Sequence, residues 1–123
     1  MKYFFVVTVL SFLLSGCATI KPDPKPWTTT DKIGAGFFLA GHMADTYTTI
    51  RHQDYPDKIY EKNPILGKHP DDHEIYLYMG ATAAIGLIAA HYFPKLRLPI
   101  CIGYGGVGFY MAWGNYKKIR EVR

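Results

Sequence analysis

The sequence predicts an all-α fold, a small bundle of three apolar helices behind an N-terminal export segment. Three observations carry that expectation. Nearly uncharged stretches of helical length recur at residues 33–50, 75–93 and 98–116, proline and acidic residues punctuate their ends, and small residues recur along them at helical steps. With 123 residues the chain has room for one small domain, which excludes a multidomain enzyme or a two-lobed nucleotide-binding fold. The composition, 49% hydrophobic and 20% charged, averages over apolar runs and charged segments that are kept apart in the chain. The formal charge of +4 has no basic stripe interleaved with aromatics, so nucleic acid is not an expected partner.

Met1 and Lys2 make a short basic start, and residues 3–14 form an apolar run of the length of a secretory core segment. The run ends in Leu14-Ser15-Gly16-Cys17, which resembles the lipobox of bacterial lipoproteins. The resemblance implies that residues 1–16 are a signal peptide and that Cys17 becomes a lipidated N-terminus, carrying a diacylglycerol and, in many bacteria, an amide-linked acyl chain such as palmitate. Each buried methylene of such an anchor contributes about 0.8 kcal/mol to membrane attachment. The alternative is an uncleaved membrane helix, because residues 3–20 contain no charge. Residues 17–30 read as the lipidated cysteine and a tether: Pro22, Pro24 and Pro26 remove donors and restrict their predecessors, so residues 21–26 cannot sustain a helix and are expected to run extended, holding the body off its anchor.

Residues 31–123 then form the helical membrane domain, with helices expected at about 31–51, 70–93 and 98–119. The segment 75–93 is the clearest membrane span, with His91 its one titratable side chain apart from tyrosine. Pro70 is placed in its first turn, Asp71, Asp72 and Glu74 complement the positive end of the helix dipole, and Pro94 halts it. The segment 98–116 follows with Pro99 in its first turn and Trp113 and Tyr116 at the level of an interfacial aromatic belt. The segment 33–50 is long enough but carries His42 and Asp45, so it is either a membrane helix with a polar face or an amphipathic surface helix. Ridges of small residues at four-residue steps are expected to let the helices approach closely: Gly36, Ala40 and Ala44; Thr82, Gly86 and Ala90; Gly108 and Ala112. A soluble three-helix domain is the alternative, and it would require a charged outer face that residues 75–93 lack.

With Cys17 at the outer leaflet, the loop 51–74 and the C-terminal tail face the cytoplasm. That side holds Arg51, Lys58, Lys62, Lys68, Lys117, Lys118, Arg120 and Arg123, against Lys21, Lys25, Lys32, Lys95 and Arg97 outside, in the sense of the positive-inside rule. The inner membrane is the expected location and the outer membrane the alternative. Ala18 follows the cysteine instead of the aspartate that commonly retains lipoproteins at the inner membrane, whereas apolar helices normally stop there during export.

His42, Asp45 and Thr49 share one helical face, and a carboxylate at membrane depth costs a few kcal/mol unless it turns toward a partner or a watery cavity. Downstream, Glu61-Lys-Asn63-Pro64-Ile-Leu-Gly67-Lys-His69-Pro70 carries strong turn signals. These residues, with His91, Pro94, Arg97 and Asn115 more loosely, resemble a group of small bacterial and phage membrane proteins. That group has an Asp-x-x-x-Thr helix, a Glu-x-Asn-Pro-x-x-Gly-x-His-Pro loop and two further hydrophobic helices. The resemblance covers about residues 40–118 and implies a small helical membrane body, without bringing an activity.

The polar residues expected to form a functional cluster are His42, Asp45, Thr49, Glu61, Asn63, His91 and Asn115. Carboxylates can activate water and imidazole can shuttle protons or ligate zinc, so an enzymatic reading exists. Spacing supports it weakly. His69 and His73 are interrupted by Pro70, there is no nucleophile elbow or phosphate loop, and Cys101 lies inside an apolar helix as a small hydrophobe. No catalytic residue, metal or cofactor is therefore assigned from sequence. The reading that follows is a membrane-bound, non-enzymatic lipoprotein, serving as an envelope component or as an accessory to a membrane complex. Its partners would be membrane lipid and either a membrane protein or a second copy of itself. The alternatives are a membrane-embedded hydrolase or proton-coupled protein, and a phage-derived lysis or exclusion lipoprotein.

Overall fold

The computed structural model describes residues 22–123; the expected signal peptide, the lipobox-like stretch and Cys17 lie outside the described residues. Among the described residues the regular structure is all-helical: α1 Thr29–His52, α2 Asp72–Tyr92, a short 3-10 turn Pro94–Leu96, and α3 Arg97–Val122.

The helix ends follow from local chemistry. Thr28 caps α1 through its hydroxyl, which accepts from the Asp31 amide at 3.2 Å, while the Asp31 carboxylate accepts from the Thr28 amide at 2.9 Å. Asp71 and Glu74 build the same reciprocal box at the start of α2, with bonds of 2.8 and 3.0 Å. Pro70 thus sits just outside α2 instead of in its first turn, because Asp71 offers a better cap. Pro94 ends α2 as expected and opens the 3-10 turn, and Pro99 lies in the first turn of α3.

The chain runs up, down and up. α1 and α3 lie side by side in parallel and share the main interface, and α2 runs antiparallel to both with less contact. The seam of α1 passes through Asp31, Gly34, Phe38, Gly41, Thr49 and His52, and that of α3 through Arg97, Cys101, Gly105, Gly108, Ala112, Asn115 and Ile119. Both advance by three or four residues, counting half-buried Asp45 between Gly41 and Thr49, the spacing that keeps one stripe facing a neighbour. The closest approach is at glycine. A Cβ on Gly41 would lie 2.9 Å from the Cα and carbonyl carbon of Gly105, and one on Gly108 would lie 2.5 Å from the carbonyl carbon of Gly41. The ridge expected on Gly36, Ala40 and Ala44 is not the one used. Gly36 is exposed with nothing within 4 Å of its would-be Cβ, because the seam turns at alternating three- and four-residue steps and passes through Gly34 and Gly41. The ridge on α2 is used: Gly86 faces the Phe38 ring and Ala90 is fully buried.

The interior mixes apolar residues such as Phe38, Ile75 and Ala90 with polar ones, while much of the outside is apolar. Buried side chains include Asp31, Thr49, His52, Arg97 and Asn115, while Ile33, Met43, Leu77, Ile85, Val107, Tyr110 and Trp113 each expose more than half of their surface. By length and composition α2 alone is apolar enough to cross a membrane, its 21 residues reaching about 32 Å. α1 and α3 fall short of that measure, α1 through His42, Asp45 and its threonines, α3 through glycine-rich turns and a charged C-terminal end.

Residues 22–28 are extended, as the prolines dictate, but they are fastened to the bundle instead of standing off it. The Asp23 amide donates to the Tyr92 carbonyl at 3.1 Å. Arg97, 1% exposed, holds the rest: Nε donates to the Ala90 carbonyl (3.0 Å), Nη1 to Asp31 (2.8 Å) and Nη2 to the Lys25 carbonyl (3.0 Å), with the guanidinium 4.4 Å from the Trp27 ring centre. One side chain thereby joins the tether, α1, α2 and α3. The amide of Thr28 foremost, and Arg97 after it, hold the Asp31 carboxyl below the usual carboxylate range.

Candidate functional site

The long connection between α1 and α2 folds over the end of the bundle where α1 and α3 finish. Glu61 Oε1 accepts from the amides of Lys62 (2.7 Å) and Asn63 (2.8 Å), and Asn63 Oδ1 accepts from the Ile65 amide (3.0 Å). The Gly67 amide returns to the Asn63 carbonyl at 3.1 Å with φ at 77°, a left-handed conformation that favours glycine. The Glu-x-Asn-Pro-x-x-Gly spacing therefore encodes a self-closing loop. Ile59 is buried, and Lys58 Nζ donates to the Val122 carbonyl at 3.1 Å, fastening the loop to the end of α3.

Between this loop and the helices lies a cavity of about 380 Å³, within the range of small-ligand sites. Of the residues expected to cluster, His42, Asp45, Thr49, Glu61, Asn63 and Asn115 all line it. His91 does not. It sits at the opposite end of α2, where its Nδ1 accepts from the Trp27 indole at 3.3 Å, and nine residues of helix place it about 13 Å along the axis from Thr82 on the cavity wall. The cluster is thus smaller than expected, since the spacing of His91 puts it beside Arg97 and the tether.

Within the cavity the bonds are of two kinds. His42 is held firmly: its Nε2 lies 2.7 Å from the Met79 carbonyl and 3.3 Å from the Thr82 hydroxyl, and its ring stacks on Phe38. A carbonyl can only accept, so Nε2 carries a proton, and in the neutral ring Nδ1 is then the acceptor. Asp45 is held loosely. Its Oδ1 accepts from Thr49 Oγ1 at 3.4 Å and from Asn115 Nδ2 at 3.3 Å, and the same Asn115 nitrogen lies 3.3 Å from the Thr48 and Thr49 hydroxyls. The two protons of that amide are shared among three acceptors, all at long range.

Lys118, Thr82 and Tyr104 also line the cavity and were not expected there. Lys118 lies three residues beyond Asn115, so its place on the same face was readable from spacing once Asn115 was fixed. His52 is buried beneath the loop, and neither ring nitrogen has a hydrogen-bond partner among the described residues. Burial, and then Lys118, push its pKa below the ordinary 6.5. No group of three or more His, Cys, Asp or Glu among the described residues is placed to hold a metal ion. Cys101, the one cysteine among them, is fully buried in the α1–α3 seam and out of reach of a substrate.

What the site can do chemically is bind: carboxylates, a fixed imidazole acceptor, amide and hydroxyl groups and lysines surround one opening. Comparisons with protein families, curated proteins and solved structures return no match.

Proposed function

We propose that this chain is a small bacterial lipoprotein whose three helices all lie in the bilayer, and that it acts by binding, as a non-enzymatic envelope component or as an accessory subunit of a membrane complex. The observation that supports this reading most is the largely apolar outside of the bundle around a partly polar interior. In water, the exposed Ile33, Met43, Leu77, Ile85, Val107 and Tyr110 would form apolar bands on every helix, while Arg97, Asp31 and Asn115 occupy the interior. In a bilayer the same arrangement is the favourable one: outward side chains meet lipid, small residues let helices touch, and polar groups pair inside. The lipobox at Cys17 supplies a second attachment in this reading, and the resemblance to small membrane proteins fits the same body plan.

The convergence of Asp45, Glu61 and His42 on one cavity keeps a second reading in play, a membrane-embedded hydrolase or proton-coupled protein. Two experiments separate and test these readings. Labelling with a radioactive fatty acid should mark the native chain and not Cys17→Ser; label that survives the substitution refutes attachment at that thiol. Asp45→Asn, measured at equal protein level, should leave no missing chemical turnover in the host; a lost reaction would favour the enzyme.

A further inference from the structure

The charges around the cavity are unpaired. The ion pairs among the described residues are Lys25–Asp23, Arg51–Asp54 and Arg97–Asp31, and none involves Asp45, Glu61, Lys62 or Lys118, although all four line the same cavity. The protein's own hydrogen bonds reach only Oδ1 of Asp45 and only Oε1 of Glu61, which leaves one oxygen of each carboxylate uncommitted among the described residues. His42 lines the same cavity, and in its neutral form Nδ1 is the ring's acceptor, since Nε2 is spent on Met79. An ammonium carries three donors and no acceptor, and these are three acceptors with two formal negative charges. Lys62 and Lys118 supply cations that a single metal ion or a simple amine would not use, and they suit a phosphate. The rest of the wall includes an apolar part, made of Leu66, Met79, Tyr104, Val107 and Met111.

We propose that this cavity binds a zwitterionic amine–phosphate group, the ammonium at Asp45, Glu61 and His42 and the phosphate at Lys118 and Lys62. The chemistry is that of an aminophospholipid headgroup or of free phosphoethanolamine. In its lipid form the proposal rests on the membrane reading above, with the acyl chains lying along the apolar wall.

The test uses the purified full chain in a non-ionic detergent, with binding followed by calorimetric titration. The probes are dihexanoyl phosphatidylethanolamine, the matching phosphatidylcholine, which lacks N–H donors, the matching phosphatidylglycerol, which lacks the amine, and phosphoethanolamine. Saturable binding of the ethanolamine lipid is expected, with the other two lipids at least tenfold weaker. Asp45→Asn and Glu61→Gln should each weaken it tenfold or more, Lys118→Met should weaken it as well, and Lys95→Met, outside the cavity, should not. Equal binding of phosphoethanolamine and the lipid identifies the free solute as a ligand; preference for the lipid identifies the headgroup in the bilayer. Equal affinity for phosphatidylcholine, no binding of either ethanolamine compound, or full binding by both carboxylate variants overturns the proposal. Should Asp45→Asn lose helicity, Glu61→Gln, in the loop, decides alone. Failure of the membrane reading is seen separately, as release of the chain from washed membranes, and leaves the titration interpretable.

Discussion

The glycine contact between α1 and α3 yields the sharpest mechanical expectation. In Gly41→Ala the new Cβ would lie 2.9 Å from the Gly105 Cα and carbonyl carbon, and all the opposing atoms are backbone. Carbon atoms rest at about 3.5–4.0 Å, so the helices must part by on the order of 0.6–1 Å. Overpacking of this kind costs about 1–3 kcal/mol. Gly36→Ala is the matched control: it lies in the same helix, exposed, with nothing within 4 Å of its Cβ. Both variants gain about 1 kcal/mol in helix propensity, so the difference between them isolates the steric term. Thermal unfolding in detergent, followed by far-UV circular dichroism, should place Gly41→Ala below Gly36→Ala by about 4–8 °C for each kcal/mol. Gly108→Ala, whose Cβ would meet Gly41 at 2.5 Å, should behave like Gly41→Ala. Equal melting of Gly36→Ala and Gly41→Ala would refute the close parallel packing of α1 and α3.

Other expectations follow from single residues. Arg97→Ala removes the donors that join the tether to all three helices and should lower stability by about 3–5 kcal/mol, with Arg97→Lys failing to restore it; a Lys variant that melts like the native chain would contradict the hub role. His52 has a lowered pKa in the fold, so the unfolded chain binds its proton more readily and stability should fall as pH drops through about 6.5. His52→Leu should therefore melt higher than the native chain and gain more at pH 5.5 than at pH 8, and an advantage independent of pH would contradict this assignment. Gly67→Ala forces a side chain into a left-handed turn and should speed proteolysis of the loop around Asn63–Lys68 while leaving the melting of the helices nearly unchanged.

The ends of α2 were legible because they are written locally, in Asp71, Glu74 and Pro94; the Thr28–Asp31 box that starts α1 at Thr29 is equally local and was not read, so the helix was expected about two residues later. The loop was legible for the same reason, since Glu61, Asn63 and Gly67 close on one another. The α1–α3 seam was not. A search at four-residue steps selects Gly36, Ala40 and Ala44, whereas the real stripe alternates steps of three and four and mixes glycine with Asp31, Phe38 and Thr49. Arg97 was hard to read as a hub because most of its partners are backbone carbonyls, which leave no mark in the residue pattern. His91 was drawn to the polar cluster by residue type alone; its distance along α2 assigns it to Trp27. Asn115 and Asp45, seventy residues apart, meet in the structure; the inward turn of Asp45 was argued from its charge, whereas Asn115 entered the expected cluster only through the looser resemblance.

The most direct measurement of the central claim removes the proposed N-terminal anchor and asks whether the helices hold the body in the bilayer. A specific protease site inserted before Pro22 in the full chain allows everything N-terminal to it to be cut away on isolated membranes, followed by an alkaline carbonate wash. Retention of the fragment beginning at Pro22 in the membrane pellet is the expected result. Its release, folded and monodisperse, into the detergent-free supernatant would contradict a body solvated by lipid.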